Sequence, residues 1–447
     1  MARGKKKEKL TLEEKLERAL VPVEEQPYEV PGNWCWTRLN VVSEVVTGST
    51  PSKSKSEYYG NEFPFFKPAD LDAGRYTLVA SEYLSIEGKS VSRIIPAKST
   101  AVCCIGSIGK SGYLEVEGTT NQQINSVIPK INSLYLYYYI NTDMFINELW
   151  RKSSATTISI VNKSKMESNL VPMAPLQEQQ RIVERIESLF AKLDEAKEKI
   201  MEVKESYLAR RATILRLAFA GKLTSEWRTQ NNIRNNWHKK AFNDVAVIKS
   251  NLVQPNEYQN FPHIAPDNIE KRTGVLLQYN TIAEDKVTSG KHRFYPGQIL
   301  YSKIRPYLSK VIIVDFDGLC SADMYPIEAK ENTKYLWYYM LSDDFLEQAS
   351  SAGSRSVLPK INKKELSKLH VNIPDIDEQE EVVKVLDRLL PYEQKVAEHM
   401  EVILEQIDVM KKSILSKAFR GKLGTNNSEE GSAIELLKVV LMETQEG

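Results

Sequence analysis

The chain has 447 residues, 42% of them hydrophobic and 27% charged, enough for roughly two to four packed domains, which excludes a disordered chain. Lys+Arg number 60 against 59 Asp+Glu, a formal net charge of +1, so the chain does not coat nucleic acid by bulk charge, although local basic loops remain open to it. Cys35, Cys103, Cys104 and Cys320 form no CxxC pair, as expected in a reducing cytoplasm, and no apolar run reaches the ~18 residues that would suggest a membrane span.

Met1 to Leu10 is basic (Arg3, Lys5, Lys6, Lys7, Lys9) but lacks an apolar core, so it is no secretory signal; residues 1–29 read as an N-terminal extension. Residues 30–175 are rich in Gly, Ser, Pro and Tyr, with short β-branched runs such as Val41 to Val46 and Ser126 to Ile128 that predict strands. Tyr135 to Leu149 has helical spacing. This segment predicts a compact α+β domain with long surface loops.

From Leu176 to Ala220 there is neither Pro nor Gly. Ile186, Leu193, Ile200, Tyr207 and Ile214 recur at heptad spacing, as do Leu189, Ala196, Val203 and Leu217, with Arg210 breaking the second series. That pattern is an a/d seam, and a helix of ~40 residues spans ~60 Å. Pro175 suits its entry and Gly221 its stop; residues 176–232 are this helix and a linker.

Residues 233–374 repeat the mixed character, with Lys310 to Val314 as a strand and Tyr335 to Leu346 as a helix. Residues 375–424 repeat the long helix. Leu386, Met400, Ile407 and Ile414 occupy one seam position, Leu389, Val396, Ile403 and Met410 the other, and Glu393 and Lys417 are the breaks. Neither helix can bury such a stripe within a small domain, so the economical arrangement packs the two against each other. The alternative, two amphipathic helices each lying on its own domain, is weakened by the matched register. Residues 425–447 form a tail in which Ser432 to Glu435 suggest a capping box before a short helix.

The chain thus states one pattern twice, about 200 residues apart. Ala218-Phe219-Ala220-Gly221-Lys222-Leu223 answers Ala418-Phe419-Arg420-Gly421-Lys422-Leu423. Tyr135-Leu136-Tyr137-Tyr138-Tyr139 answers Tyr335-Leu336-Trp337-Tyr338-Tyr339, Glu178-Gln179 answers Glu378-Gln379, and Asn33-Trp34 answers Asn236-Trp237. Duplicated units of this size build pseudo-two-fold molecules, and two-fold symmetry suits two half-sites on a DNA duplex. If such an axis relates the copies, the long helices run antiparallel.

These motifs carry a resemblance. Pro175-Leu176-Gln177-Glu178-Gln179-Gln180-Arg181-Ile182-Val183 opens the first long helix, and Ile376-Asp377-Glu378-Gln379 echoes it. With the two Ala-Phe-x-Gly-Lys-Leu closures, Gly48-Ser49-Thr50-Pro51, Ile105-Gly106-Ser107-Ile108-Gly109-Lys110 and Thr120-Asn121-Gln122-Gln123, the chain resembles the specificity subunits of type I restriction–modification systems. The resemblance covers about Val30 to Leu423. It implies an α+β protein: two α/β target-recognition domains in tandem pseudo-two-fold repeat, separated by two long conserved helices forming an antiparallel coiled coil. It implies double-stranded DNA as ligand, read as a split, asymmetric site. It also implies two modification (methyltransferase) subunits as partners, and restriction (motor-nuclease) subunits. No cofactor is expected in this chain; S-adenosylmethionine, ATP and Mg belong on the partners. The second copy departs from the pattern, with Lys303-Ile304-Arg305-Pro306-Tyr307 and Ser321-Ala322-Asp323 in place of two of the motifs.

The residues show no catalytic constellation. His238, His263, His292, His370 and His399 are scattered without zinc-ligand spacing. Gly106 to Ser111 imitates a phosphate loop, but Cys104 stands where that motif needs Gly. Asp267, Glu284 and Lys286 imitate a nuclease pattern without a counterpart in the first copy. A non-catalytic subunit is therefore expected, with a coiled-coil interaction scaffold and a nuclease as rival readings. The candidate DNA contacts are Ser49, Thr50, Lys53, Lys55, Lys110, Ser111 and Lys163 in the first domain. In the second they are Lys303, Arg305, Tyr307, Lys310, Arg355, Lys360 and Lys363.

Overall fold

The β-branched runs of the two copies build the same sheet twice. In the computed structural model, which describes residues 10–154, 158–352 and 359–443, the chain divides into two compact units. Unit 1 comprises Met1–Glu198 with Ile403–Gly447, and unit 2 comprises Lys199–Val402. In unit 1 the main sheet runs in the spatial order Ser43–Thr47, Ile124–Pro129, Thr100–Cys103, Ser111–Tyr113, all antiparallel. In unit 2 the order is Ala246–Ile248, Met324–Ala329, Ile299–Ser302, Val311–Ile313, again antiparallel. Each unit adds a smaller sheet with one parallel pairing and a two-stranded ribbon, Cys35–Arg38 with Leu170–Met173 and His238–Ala241 with His370–Ile373. Among the described residues no helix is long and apolar enough to cross a membrane.

The repeated motifs are repeated because each makes the same buried contact. The tyrosine-rich helix Ser133–Ile140 is capped by Asn132, whose side chain accepts from the Tyr135 N–H at 3.0 Å; Thr333–Met340 is capped by Asn332 in the same way at 2.9 Å. Tyr135 and Tyr139 donate to the ribbon carbonyls of Pro172 and Leu170 at 2.9 and 2.7 Å. Tyr335 and Tyr339 reach Asn372 and His370 at 2.7 and 3.2 Å. Phe419 stands edge-on to Tyr135 and Tyr139 with ring centroids 5.0 and 5.1 Å away, and Phe219 meets Tyr335 and Tyr339 at 5.3 and 5.0 Å. Each globule's tyrosine pair thus receives the end of the long helix that began in the other half of the sequence.

The two long helices, Leu176–Phe219 and Ile376–Ala418, pack antiparallel. In unit 1, Asp194 pairs with Lys411 at 2.5 Å and Lys197 with Asp408 at 3.2 Å. In unit 2, Lys204 pairs with Glu401 at 2.8 Å and Arg210 with Glu393 at 2.7 Å. Partner numbers fall as residue numbers rise, the signature of opposed directions. Arg210 and Glu393, which interrupt the apolar series, therefore answer each other. Such partly exposed pairs add little stability but favour one register.

The seam differs from strict heptads. Ile186, Leu386 and Ile407 are buried, and Leu189, Leu193, Ile200, Tyr207, Ile214, Leu389, Val396, Met400 and Ile414 are half-buried. Val203 and Ile403, expected in the seam, are 41% and 42% exposed, and Met410 is exposed as well. The physical reason is the helical period: a straight α-helix drifts by ~20° per heptad against a 3.5-residue repeat. Toward each C-terminus the second series of the covered stripe has moved one position, to Leu404, Lys411 and Ala418 in the second helix and to Arg211 and Ala218 in the first, while Ile407, Ile414 and Ile214 keep their places.

Both helices end as anticipated, with the Lys222 N–H returning to the Leu217 carbonyl at 3.0 Å and Lys422 to Lys417 at 2.8 Å. The second helix differs in carrying Pro391, exposed, where the first has Ala191. Without an N–H, Pro391 leaves the Asp387 carbonyl without its helical donor. Pro391→Ala is expected to stabilise the protein by up to ~3 kcal/mol, read as a raised denaturation midpoint. A lowered midpoint would mean that the proline's local geometry is needed for packing.

The tail is part of the unit 1 core. Its helix Ala433–Glu443 buries Ala433, Leu437 and Val440, and Arg181 makes a bidentate ion pair with Glu430 at 2.7 Å. The expected capping box is not formed. The Ser432 hydroxyl accepts from Ile434, at 3.2 Å, and the Glu435 carboxylate turns outward to Lys438, at 2.8 Å. The basic residues Arg3, Lys5, Lys6, Lys7 and Lys9 lie outside the described residues.

Candidate nucleic-acid interface

Four separated segments of unit 1 meet at one end of its main sheet. The loop after Thr100–Cys103 is held between two neighbours: Cys104 donates to the Gln123 carbonyl at 2.8 Å and accepts from Val161 at 2.9 Å. Gly106 donates to Ser159 at 3.2 Å. Ser49 donates to the Thr120 carbonyl at 2.9 Å, and the Thr50 hydroxyl bonds the Gln122 side chain. Gly48 is required where it stands, because a Cβ there would lie 2.2 Å from the Asn121 carbonyl oxygen and 2.3 Å from that of Thr120. The three motifs quoted from the first domain are thus neighbours in space, joined by residues 158–163.

Unit 2 rebuilds this cluster from different residues. Ile304 bridges Lys360 as Ile105 bridges Ile160. Arg305 donates to the Pro359 carbonyl at 2.8 Å, Ile361 to Lys303 at 2.9 Å, and Lys303 to Asp323 at 2.9 Å. The second loop is one residue longer: Val102 pairs with Ser111 across the first and Tyr301 with Val311 across the second, where Pro306–Leu308 forms a short helical turn. Gly106 and Gly109 take left-handed φ of +77° and +87° in unit 1, and Arg305 and Ser309 take +47° and +44° at the corresponding places in unit 2. For a residue with a Cβ that conformation costs ~1–2 kcal/mol, which glycine avoids. Strain of this kind, held by surrounding hydrogen bonds, concentrates at functional positions.

The candidate contacts separate by what already holds them. Lys53, Lys163, Arg305 and Lys363 are exposed, as is Thr50, and Tyr307 is 46% exposed. Among the described residues Lys163 has only a 3.6 Å approach to Glu167, one turn on. Ser49 is half-buried, and Lys55 donates to the Tyr58 hydroxyl at 3.1 Å. Ser111 does not face the loop surface as expected: it is buried, its hydroxyl given to Asn141 at 2.9 Å. Lys110 pairs with Asp72 at 2.6 Å. Lys310 donates to the Pro266 carbonyl at 2.7 Å, which pins it. Lys303 donates to Ala322 at 2.6 Å and Lys360 pairs with Asp323 at 3.2 Å. Arg355 lies outside the described residues. Gln122, exposed beside Thr50, belongs to this surface too; its signal was the Thr-Asn-Gln-Gln motif, whose side chains were not counted among the contacts.

The two catalytic imitations resolve into local structure. Every N–H from Gly106 to Lys110 donates to a protein carbonyl, so none is left to cradle a phosphate. Glu284 accepts from the Thr281 N–H and hydroxyl at 2.7 and 2.9 Å, Asp285 binds His263 at 2.7 Å, and Asp267 is an exposed side chain 3.5 Å from Lys310. Among the described residues no three His, Cys, Asp or Glu side chains are grouped to hold a metal ion. Burial pushes the Cys104 thiol up to about 12, away from nucleophilic use.

The family described as type I restriction modification DNA specificity domain matches residues 31–205 and again 234–399. The specificity subunit of the type I restriction enzyme EcoDI of Escherichia coli is 33% identical over 421 residues, covering 88% of this chain and 90% of that protein. Two solved structures share the fold. A chain from a study of complex assembly and conformational transition of the type I R-M system superposes with a TM-score of 0.69 at 16% identity, over 89% of this chain and 100% of that one. The HsdS subunit from Thermoanaerobacter tengcongensis superposes with 0.56 at 17% identity, over 90% and 100%.

Proposed function

This chain belongs to the type I restriction–modification specificity subunits, and from that premise we propose that its two loop clusters each read one half of a split, asymmetric DNA site. The family is non-catalytic and recognises the DNA target within a larger complex. The observation that carries the two-half reading is the pair of loops set on equivalent sheet strands but differing in length and side chains, Gly106 and Gly109 against Arg305 and Ser309. A common frame with divergent side chains suits two half-sites of unlike sequence. In this reading each cluster enters a major groove, where base edges are distinguishable, while neighbouring cations hold phosphates.

The partners in this reading are two modification subunits that carry S-adenosylmethionine and restriction subunits that use ATP and Mg. The long helices support docking: the second exposes Tyr392 at 67%, Val409 at 65% and Val402 at 50%. Apolar side chains in number on one solvent-facing helix are what a partner would cover. The net charge of +1 implies few phosphate contacts and weak binding by the isolated chain. We place the complex in the cytoplasm, with the DNA it reads.

Selection from random double-stranded DNA by the complex of this chain with its modification subunits tests the reading. Two specified blocks around a gap of fixed length are expected, the blocks differing from each other. Enrichment of a single block, or of none, would remove it.

A further inference from the structure

We infer that Arg305 reads a guanine base edge in the half-site of unit 2, and that unit 1, with Gly106 at the corresponding place, makes no such contact. The inference rests on the DNA reading above and names one of its specificity determinants. Arg305 is exposed and its guanidinium makes no hydrogen bond or ion pair among the described residues, whereas neighbouring Lys303, Lys310 and Lys360 are held by protein oxygens. Its backbone, by contrast, is fixed on both sides: the N–H donates to Pro359 at 2.8 Å, the carbonyl accepts from Leu308 at 2.9 Å, and buried Pro306 follows. A free fork on a rigid base is the arrangement for bidentate pairing with guanine O6 and N7.

The backbone conformation points the same way. At φ +47° a glycine would fit without strain, as Gly106 does at +77° in the equivalent loop. Arginine here works against the backbone, so its side chain is the reason for its presence. A phosphate contact would not need this position, since exposed Lys363 carries charge nearby without left-handed backbone. Exposed Tyr307, two residues on, offers an apolar face to flank the same base pair.

The test is quantitative selection of DNA by the complex with its modification subunits, comparing wild type, Arg305→Gly, Arg305→Lys and Gly106→Arg. Arg305→Gly is expected to raise thermal stability while one guanine in one block loses preference by about 10–100-fold, the other block and the gap unchanged. Arg305→Lys keeps the charge but not the fork, and should lose the same preference. No atom lies within 4 Å of a Cβ added at Gly106, so Gly106→Arg has room; it should add a guanine preference to the other block. If Arg305→Gly weakens all sequences equally and lowers the salt dependence by about one counterion, while Arg305→Lys behaves as wild type, the contact is to phosphate and the inference is overturned. An unchanged guanine preference in Arg305→Gly overturns it as well, with the DNA reading left standing. A wild-type complex that enriches no split site overturns both.

Discussion

Phe419→Ala is expected to destabilise unit 1 by about 3–5 kcal/mol and to leave unit 2 folded. The ring is 1% exposed and stands between Tyr135 and Tyr139, and its carbonyl accepts from the Tyr28 hydroxyl at 2.9 Å. Removing it empties a site walled by two aromatic rings whose hydroxyls are anchored to the ribbon, so the walls cannot collapse inward. Those two edge-to-face contacts are lost along with the buried area. Hydrogen exchange resolved along the chain is the measurement. Protection should fall across residues 35–38, 133–140 and 170–173 and persist in 333–340. Phe219→Ala should give the mirror result, through Tyr335 and Tyr339. Equal loss of protection in both units after either substitution would show that the helix ends do not serve one globule each.

Exchanging residues 30–175 for the same segment of a relative should change one block of the recognised DNA and leave the other alone. Each base pair of the abandoned half-site should then lose about 1–3 kcal/mol of discrimination. The prediction has a structural condition. The incoming segment must keep the Asn132 cap, the Tyr135 and Tyr139 socket, and Trp34, whose indole donates to buried Glu178 at 2.7 Å. Those groups meet the long helices that the chimera retains. Repeating the selection from random DNA with the chimera in complex with the modification subunits reads the result directly. A change in both blocks, or in neither, would mean that the half-sites are not read independently.

Much of this molecule is written in one dimension. Duplication at an offset of about 200 residues, the heptad periodicity and the Gly stops at 221 and 421 are local patterns, and local hydrogen bonding and apolar periodicity suffice to express them as structure. The tandem α+β repeat and the long helices follow from them. The sequence also carries the motif pairs Glu-Gln, Asn-Trp and Ala-Phe-x-Gly-Lys-Leu, but not what they touch. Packing decided that Phe419 completes the globule of Tyr135 and Phe219 that of Tyr335, because opposed helices deliver each end to the remote half of the chain. It decided that Arg210 and Glu393 are a pair, and that Ala433–Glu443 belongs to the unit 1 core. The helical period exposed Val203 and Ile403, since 3.6 residues per turn does not keep a seven-residue stripe on one face of a straight helix. The candidate contacts were the least legible. A lysine's availability depends on whether a carbonyl or carboxylate from elsewhere in the chain lies within reach, which separates Lys310 and Lys110 from Lys53 and Arg305. The left-handed backbone of Arg305 is likewise a tertiary fact, held by the hydrogen bond from its N–H to the carbonyl of Pro359, far along the chain.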